Sequence, residues 1–169
     1  MAGPVATAAP PPESVRAEQR LAGQKWRGVI GSALAILAAW AVGMWLMFSP
    51  TLASGLARVQ GNWGDPRLNN YILEHGYRWL LGLPGHHSLW SPPVFFPAPN
   101  TAAYSDILLG VAPFYWVWRA VGFAPDTSYQ LWVMTLASVN YAAAVVCCRR
   151  LLRVGWTAAA FGAFVFAFA

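Results

Sequence analysis

An all-α fold of several membrane-spanning helices, with one long loop after the first helix, is what this sequence predicts. Three observations carry that reading. Hydrophobic residues make up 57% of the chain and charged residues only 10%, a balance outside the range of ordinary soluble domains. The apolar residues gather in runs of membrane-crossing length, and the basic residues flank those runs. A chain with ten tryptophans and nine phenylalanines would expose large apolar patches in water, whereas bilayer interfaces favour Trp and Tyr.

The first element is a tail. "MAGPVATAAPPPES" is rich in Ala and Pro and has nothing with which to build a core, so residues 1–25 are expected to be a disordered cytoplasmic tail. Arg16, Arg20, Lys25 and Arg27 precede the first apolar run and, by the positive-inside rule, place the N-terminus in the cytoplasm. The uncharged run over 29–48 is the first span, since roughly 20 helical residues cross the roughly 30 Å hydrocarbon layer. A cleaved signal peptide is the competing reading, but its apolar core is typically only about 7 to 15 residues long.

The loop 49–106 then falls outside the cytoplasm. In "GNWGDPRLNNYILEHGYRW", Asp65 is placed to cap a helix and Pro66 suits its first position. Leu68, Tyr71, Ile72, His75 and Trp79 share one face of that helix, with Arg67, Asn70, Glu74 and Arg78 on another. The spacing predicts an amphipathic helix over 66–80 lying in the membrane interface, its Glu74–Arg78 pair on the wet side. The remainder, "LPGHHSLWSPPVFFPAPNTAAYSD", holds too much Pro for a helix, and Trp90, Phe95, Phe96 and Tyr104 should pin it at the interface. Ser105 and Asp106 close the loop, Asp106 as cap of the next helix.

Three further spans are expected, over 107–123, 129–148 and 154–169. Arg119 would snorkel to the headgroups from the first of these, and Ser138 and Asn140 would make hydrogen bonds between helices in the second. The adjacent Cys147 and Cys148 read as small apolar filler. Three full crossings would leave Arg149, Arg150 and Arg153 outside, against the positive-inside rule, unless 107–123 is re-entrant. The last run reaches Ala169 with no polar flank, so the chain is expected to be the N-terminal piece of a longer polytopic protein.

"GDPRLNNYILEHGYRW", "WSPPVFFPAPNTAAYSDILLG" and "PDTSYQLW" resemble the start of large bacterial membrane proteins related to the GT-C glycosyltransferases, and the resemblance covers most of the chain from Trp26 onward. It implies the N-terminal part of a GT-C-like fold in the bacterial plasma membrane. There a first span leads into a long extracytoplasmic loop bearing one or two interfacial helices and an acidic residue. It also implies transfer of a sugar from a polyprenyl-phosphate donor. The family's loop carboxylate matches Asp65, making it the catalytic candidate as general base or metal ligand. Arg67 and Arg78 are the candidates for holding phosphate, because the guanidinium fork suits phosphate oxygens, with His75 and Asp106 completing the substrate-binding set.

The cofactor is left open. A divalent metal would suit a loop carboxylate, but Asn62 stands where a second acid would be wanted. His75, His86 and His87 also lack metal-site spacing with Asp65 and Glu74. Partners are membrane lipid and the sugar donor. The basic residues form no interleaved basic and aromatic surface for nucleic acid. The alternatives are a membrane scaffold, which needs only the interfacial loop, and a transporter, which would want ionisable groups at mid-membrane depth.

Overall fold

The computed structural model describes residues 13–61, 64–104 and 106–168, with side chains from residue 23 onward. Among them it is all-helical: α1 (Glu13–Ala53), α2 (Asp65–Leu80), α3 (Ala112–Val121), α4 (Pro125–Arg150) and α5 (Trp156–Phe168). Two short 3₁₀ turns, Pro93–Phe95 and Thr101–Tyr104, punctuate the loop between α2 and α3. Asn62, Trp63 and Ser105 lie outside the described residues, so the Asn62 argument about a second carboxylate and the placement of Ser105 do too.

Among the described residues two helices are long and apolar enough to cross a membrane, Gly23–Ala53 within α1 and Pro125–Arg150. α1 reaches back to Glu13, so residues 13–25 are helical where a disordered tail was expected. The stretch from Glu13 to Lys25 has no Pro and is dominated by Ala, Arg, Glu and Gln. These residues prolong a helix already nucleated by the apolar run. Residues 1–12 of that expected tail lie outside the described ones.

The expected span over 107–123 is corrected more deeply. α3 has only 10 residues, about 15 Å of helix, roughly half of what a crossing needs. It cannot start earlier because Leu108 has φ 55°, a left-handed conformation, and Pro113 is suited only to a helix's first turn. It ends at Gly122, whose φ of 107° lets the amides of Gly122 and Phe123 close on the carbonyls of Arg119 and Trp118. α5, at 13 residues, is likewise shorter than a full span, about 20 Å.

α1 and α4 pack antiparallel. The Tyr141 hydroxyl donates to the carbonyl of Ile36 (2.9 Å), and the indole of Trp40 donates to Ser138 (3.1 Å). Nearer the end of α1, Phe48 packs with Met134 and Ala137. Ser138 therefore bonds between helices as expected, whereas Asn140 is exposed. From the Ile36–Tyr141 contact, Arg27 lies nine residues back and Arg149 eight residues on. At 1.5 Å per residue both sit about 12 to 14 Å toward the same end of the bundle. α5 returns against α4 and α1 after a turn where the Arg149 guanidinium stacks on Trp156 at 4.2 Å. Phe168 then drops against Gly43, where a Cβ would meet its ring at 2.2 Å.

At the other end, residues 54–61 fold over the end of α1. Gln130, almost fully buried on α4, accepts from the Gln60 amide (3.2 Å) and donates to the Arg58 carbonyl (2.5 Å). That anchor delivers the chain to α2, which packs against α3 and α4 through Leu73, Ala112, Tyr115, Tyr129 and Trp132.

Candidate functional site

α2 forms where the sequence predicts it, but not with the expected face inward. Its buried residues are Leu73, Glu74, His75 and Gly76, while Leu68 and Trp79 are exposed. The face turned to α3 and α4 carries Asn70, Leu73, Glu74 and Tyr77, positions one turn apart, and it is largely polar. It tolerates burial because α3 and α4 supply partners for each group.

Glu74 is the centre of this arrangement. Its Oε2 accepts from the Tyr115 hydroxyl at 2.9 Å and from Arg119 Nε at 2.7 Å. Its Oε1 accepts from Arg78 Nε at 2.8 Å and Arg119 Nη2 at 3.1 Å. Each carboxylate oxygen thus has two donors, the full complement for an ionised acid. Burial pushes the Glu74 carboxyl up, yet hydrogen bonds from Arg119, Arg78 and Tyr115 outweigh it and hold the group below the ordinary carboxylate range. The same bond to Glu74 raises Arg119, and burial together with the Glu74 charge raises fully buried Tyr115.

Arg119 also donates to the Phe123 carbonyl and lies over the Tyr77 ring at 5.3 Å. Asn70 extends the network, facing the Tyr115 hydroxyl at 3.2 Å and donating to Asp126 at 2.8 Å. The single Tyr115 proton goes to the nearer, charged acceptor, Glu74.

Two expectations are corrected here. The Glu74–Arg78 pair forms at i,i+4 as expected and its Arg78 half is 45% exposed, but the Glu74 side chain is only 11% exposed and turned to α3, not to the wet side. Arg119 does not snorkel to headgroups, because its guanidinium is spent on Glu74. The sequence signal went only halfway: an arginine inside an apolar run wants a carboxylate, but nothing local points from Arg119 to Glu74, 45 positions away.

The opposite side of α2 holds the loop. His75, expected as an interfacial side chain, is 2% exposed. Its Nε2 lies 3.1 Å from the carbonyls of both Ser88 and Leu89, and its Nδ1 lies 2.8 Å from His86 Nδ1. Tyr71 stacks along His75 and accepts from the Val94 amide at 3.1 Å. The loop's rim residues Trp90, Phe95, Phe96 and Tyr104 are all exposed.

Asp65 is the first residue of α2, with Gly64 in the cap position and no side-chain cap bond. The expected capping role is therefore not the one it fills. Its carboxylate is exposed and makes no hydrogen bond or ion pair among the described residues, though its charge acts on Tyr129, which also faces Asn69. Arg67, two residues along and so about half a turn round the helix, is exposed and has a bonding partner. Asp106 is exposed too, and it does not cap α3, whose cap position is Val111.

Helix rise separates Asp65 from His75 by about 15 Å and from Arg78 by about 20 Å. The expected site residues thus fall into two groups, Asp65 with Arg67 at one end of α2 and His75 with Arg78 toward the other. Asp106 lies apart from both in sequence. Among the described residues no three His, Cys, Asp or Glu side chains are placed to hold a metal. Two open grooves of about 630 and 610 Å³ run along α4 and between α4 and α5, lined by residues such as Ala143 and Cys147, and neither reaches α2. Compared with known protein families, characterised proteins and solved structures, the chain matches none.

Proposed function

We propose that this chain is the membrane-embedded part of a GT-C-like glycosyltransferase. Asp65 and Arg67 would act on a polyprenyl-phosphate-linked sugar at the extracytoplasmic surface of a bacterial plasma membrane. The observation that carries the reading is the state of Asp65. A carboxylate at the start of a helix packed against α3 and α4, exposed and without a bond among the described residues, is available to orient or deprotonate an acceptor hydroxyl. Arg67, at the same end of α2, carries the guanidinium fork that suits phosphate oxygens.

The orientation is supported by the bundle. α1 and α4 are the two helices of crossing length and are antiparallel, and α3 is too short to cross between them. Lys25 and Arg27 therefore share an end with Arg149, Arg150 and Arg153, and that end carries more basic residues than the opposite one with Arg58, Arg67, Arg78 and Arg119, so the positive-inside rule favours a cytoplasmic placement for it. The conflict raised by counting three spans disappears with the middle one. α1 supports the membrane reading too, since its surface carries exposed Val29, Ile30, Leu34, Leu37 and Leu46, which suit lipid and not water.

A scaffold is the second reading, favoured by the Glu74 network. His75, expected to bind substrate, is engaged in holding the loop to α2, and Arg78, also expected to bind substrate, is paired with Glu74 of its own helix. Asp65→Asn separates the two. The substitution keeps shape and removes charge and basicity. Glycosyl transfer in cells falling by roughly 10²-fold or more, with insertion and abundance unchanged, is the expected outcome for an enzyme. Unaltered transfer would leave the scaffold reading in its place.

A further inference from the structure

The contact between His75 and His86 has a property that follows from counting hydrogens. His75 Nε2 faces two carbonyl oxygens, Ser88 and Leu89, and an acceptor can be approached only by a nitrogen that carries a hydrogen. Neutral His75 therefore has its lone pair on Nδ1, and His86 must be the donor across the 2.8 Å Nδ1 to Nδ1 contact. A first proton added to the pair leaves one hydrogen between the two nitrogens, whichever ring takes it. A second proton puts a hydrogen on both Nδ1 atoms, so the bond is lost and two cations confront each other with ring centres 5.0 Å apart.

We infer that the His75–His86 pair is an acid-released latch, closed with zero or one proton and opened by the second, that holds the Leu83–His87 turn against α2.

The surroundings favour release. His86 and His75 face Arg78 and Glu74 from α2, His87 from the loop, and Tyr71 stacked on His75. Arg78 and His87 disfavour added charge on His86. The nearby anion, Glu74, is already matched by Arg119 and Arg78. Burial and the charges of His75 and Arg78 hold His86 below the ordinary histidine value, so opening falls on the acidic side of neutrality. What moves is the turn closed by the His86 amide on the Leu83 carbonyl (3.1 Å). His75 keeps its bonds to Ser88 and Leu89, since a protonated ring still donates from Nε2. The latch is independent of any reaction at Asp65.

A spin label tests this in the full chain reconstituted in lipid nanodiscs. It is placed at Leu83→Cys, with Cys147 and Cys148 replaced by Ser, and its mobility is followed from about pH 7.5 to pH 4.5, the range in which histidines titrate. The label should be restrained at the upper end and become mobile on acidification. Added His86→Asn should abolish that transition, because a side-chain amide can turn to donate to, or accept from, His75 without ever charging. His86→Ala should leave the label mobile at every pH. Glu74, held below its ordinary value by Arg119, Arg78 and Tyr115, stays ionised over this range and is common to all the samples, so it does not separate the variants. A label whose mobility is independent of pH in the parent, or a His86→Asn protein that titrates as the parent does, overturns the latch.

Discussion

At Glu74 a carboxylate is enclosed by four donors from three side chains. Nine residues earlier on the same helix, Asp65 stands exposed with no bonding partner among the described residues. Both belong to α2, about 14 Å apart by helix rise. The difference teaches where charge is structural and where it is available. Glu74 joins α2 to α3 at the cost of being closed to any ligand, and its rigidity is what gives Asp65 a fixed position. A functional carboxylate on this scaffold is one the fold does not need.

The comparison breaks if the two carboxylates prove equally expendable to stability. Glu74→Ala should have the largest effect, because it leaves Arg119 buried without its anion, a change worth about 3–5 kcal/mol. It should be read as loss of the folded form in detergent denaturation. Tyr115→Phe is smaller, about 1.5–3 kcal/mol, since it removes one hydrogen bond to a charged acceptor and keeps the packing of a fully buried ring.

Acid should weaken the same region. Glu74 is held below its ordinary value of 4.5, so the folded state binds a proton less readily than the unfolded state. The stability it contributes is therefore complete above that value and is lost as pH falls through the lower folded value. Measured below pH 4.5, the acid loss should vanish in Glu74→Gln. Asp65→Asn should be the mildest, within about 0.5 kcal/mol, because no capping bond depends on it. A larger loss there would mean that Asp65 is structural after all.

What could be read from the sequence was local. Gly64, Asp65 and Pro66 mark the start of α2, and the left-handed Gly82 (φ 64°) lies just past its end, so those limits follow from chain chemistry within a few residues. The buried face did not follow, because periodicity counts apolar residues inward and Glu74 is polar. Its burial depends on Arg119, 45 positions away, which only tertiary contact brings near. Likewise the run from Ile107 to Phe123 is apolar throughout except for Arg119. Hydropathy has no means of registering that Leu108 turns left-handed and that Pro113 and Gly122 fence the helix to 10 residues. His75 was misplaced for the same reason as Glu74: its partners, His86, Ser88 and Leu89, come from a loop whose path is not encoded in any period.

The seat of Phe168 on Gly43 has a meaning for how the sequence can drift. Every residue other than glycine has a Cβ, and at position 43 that atom would lie 2.2 Å from the ring. The ring has little freedom to retreat, because Tyr141 and Phe164 flank it at 5.7 and 5.9 Å. Position 43 therefore has no silent neighbour among single substitutions. Change there must be preceded by a smaller side chain at 168, so the two sites are bound to a fixed order of mutation.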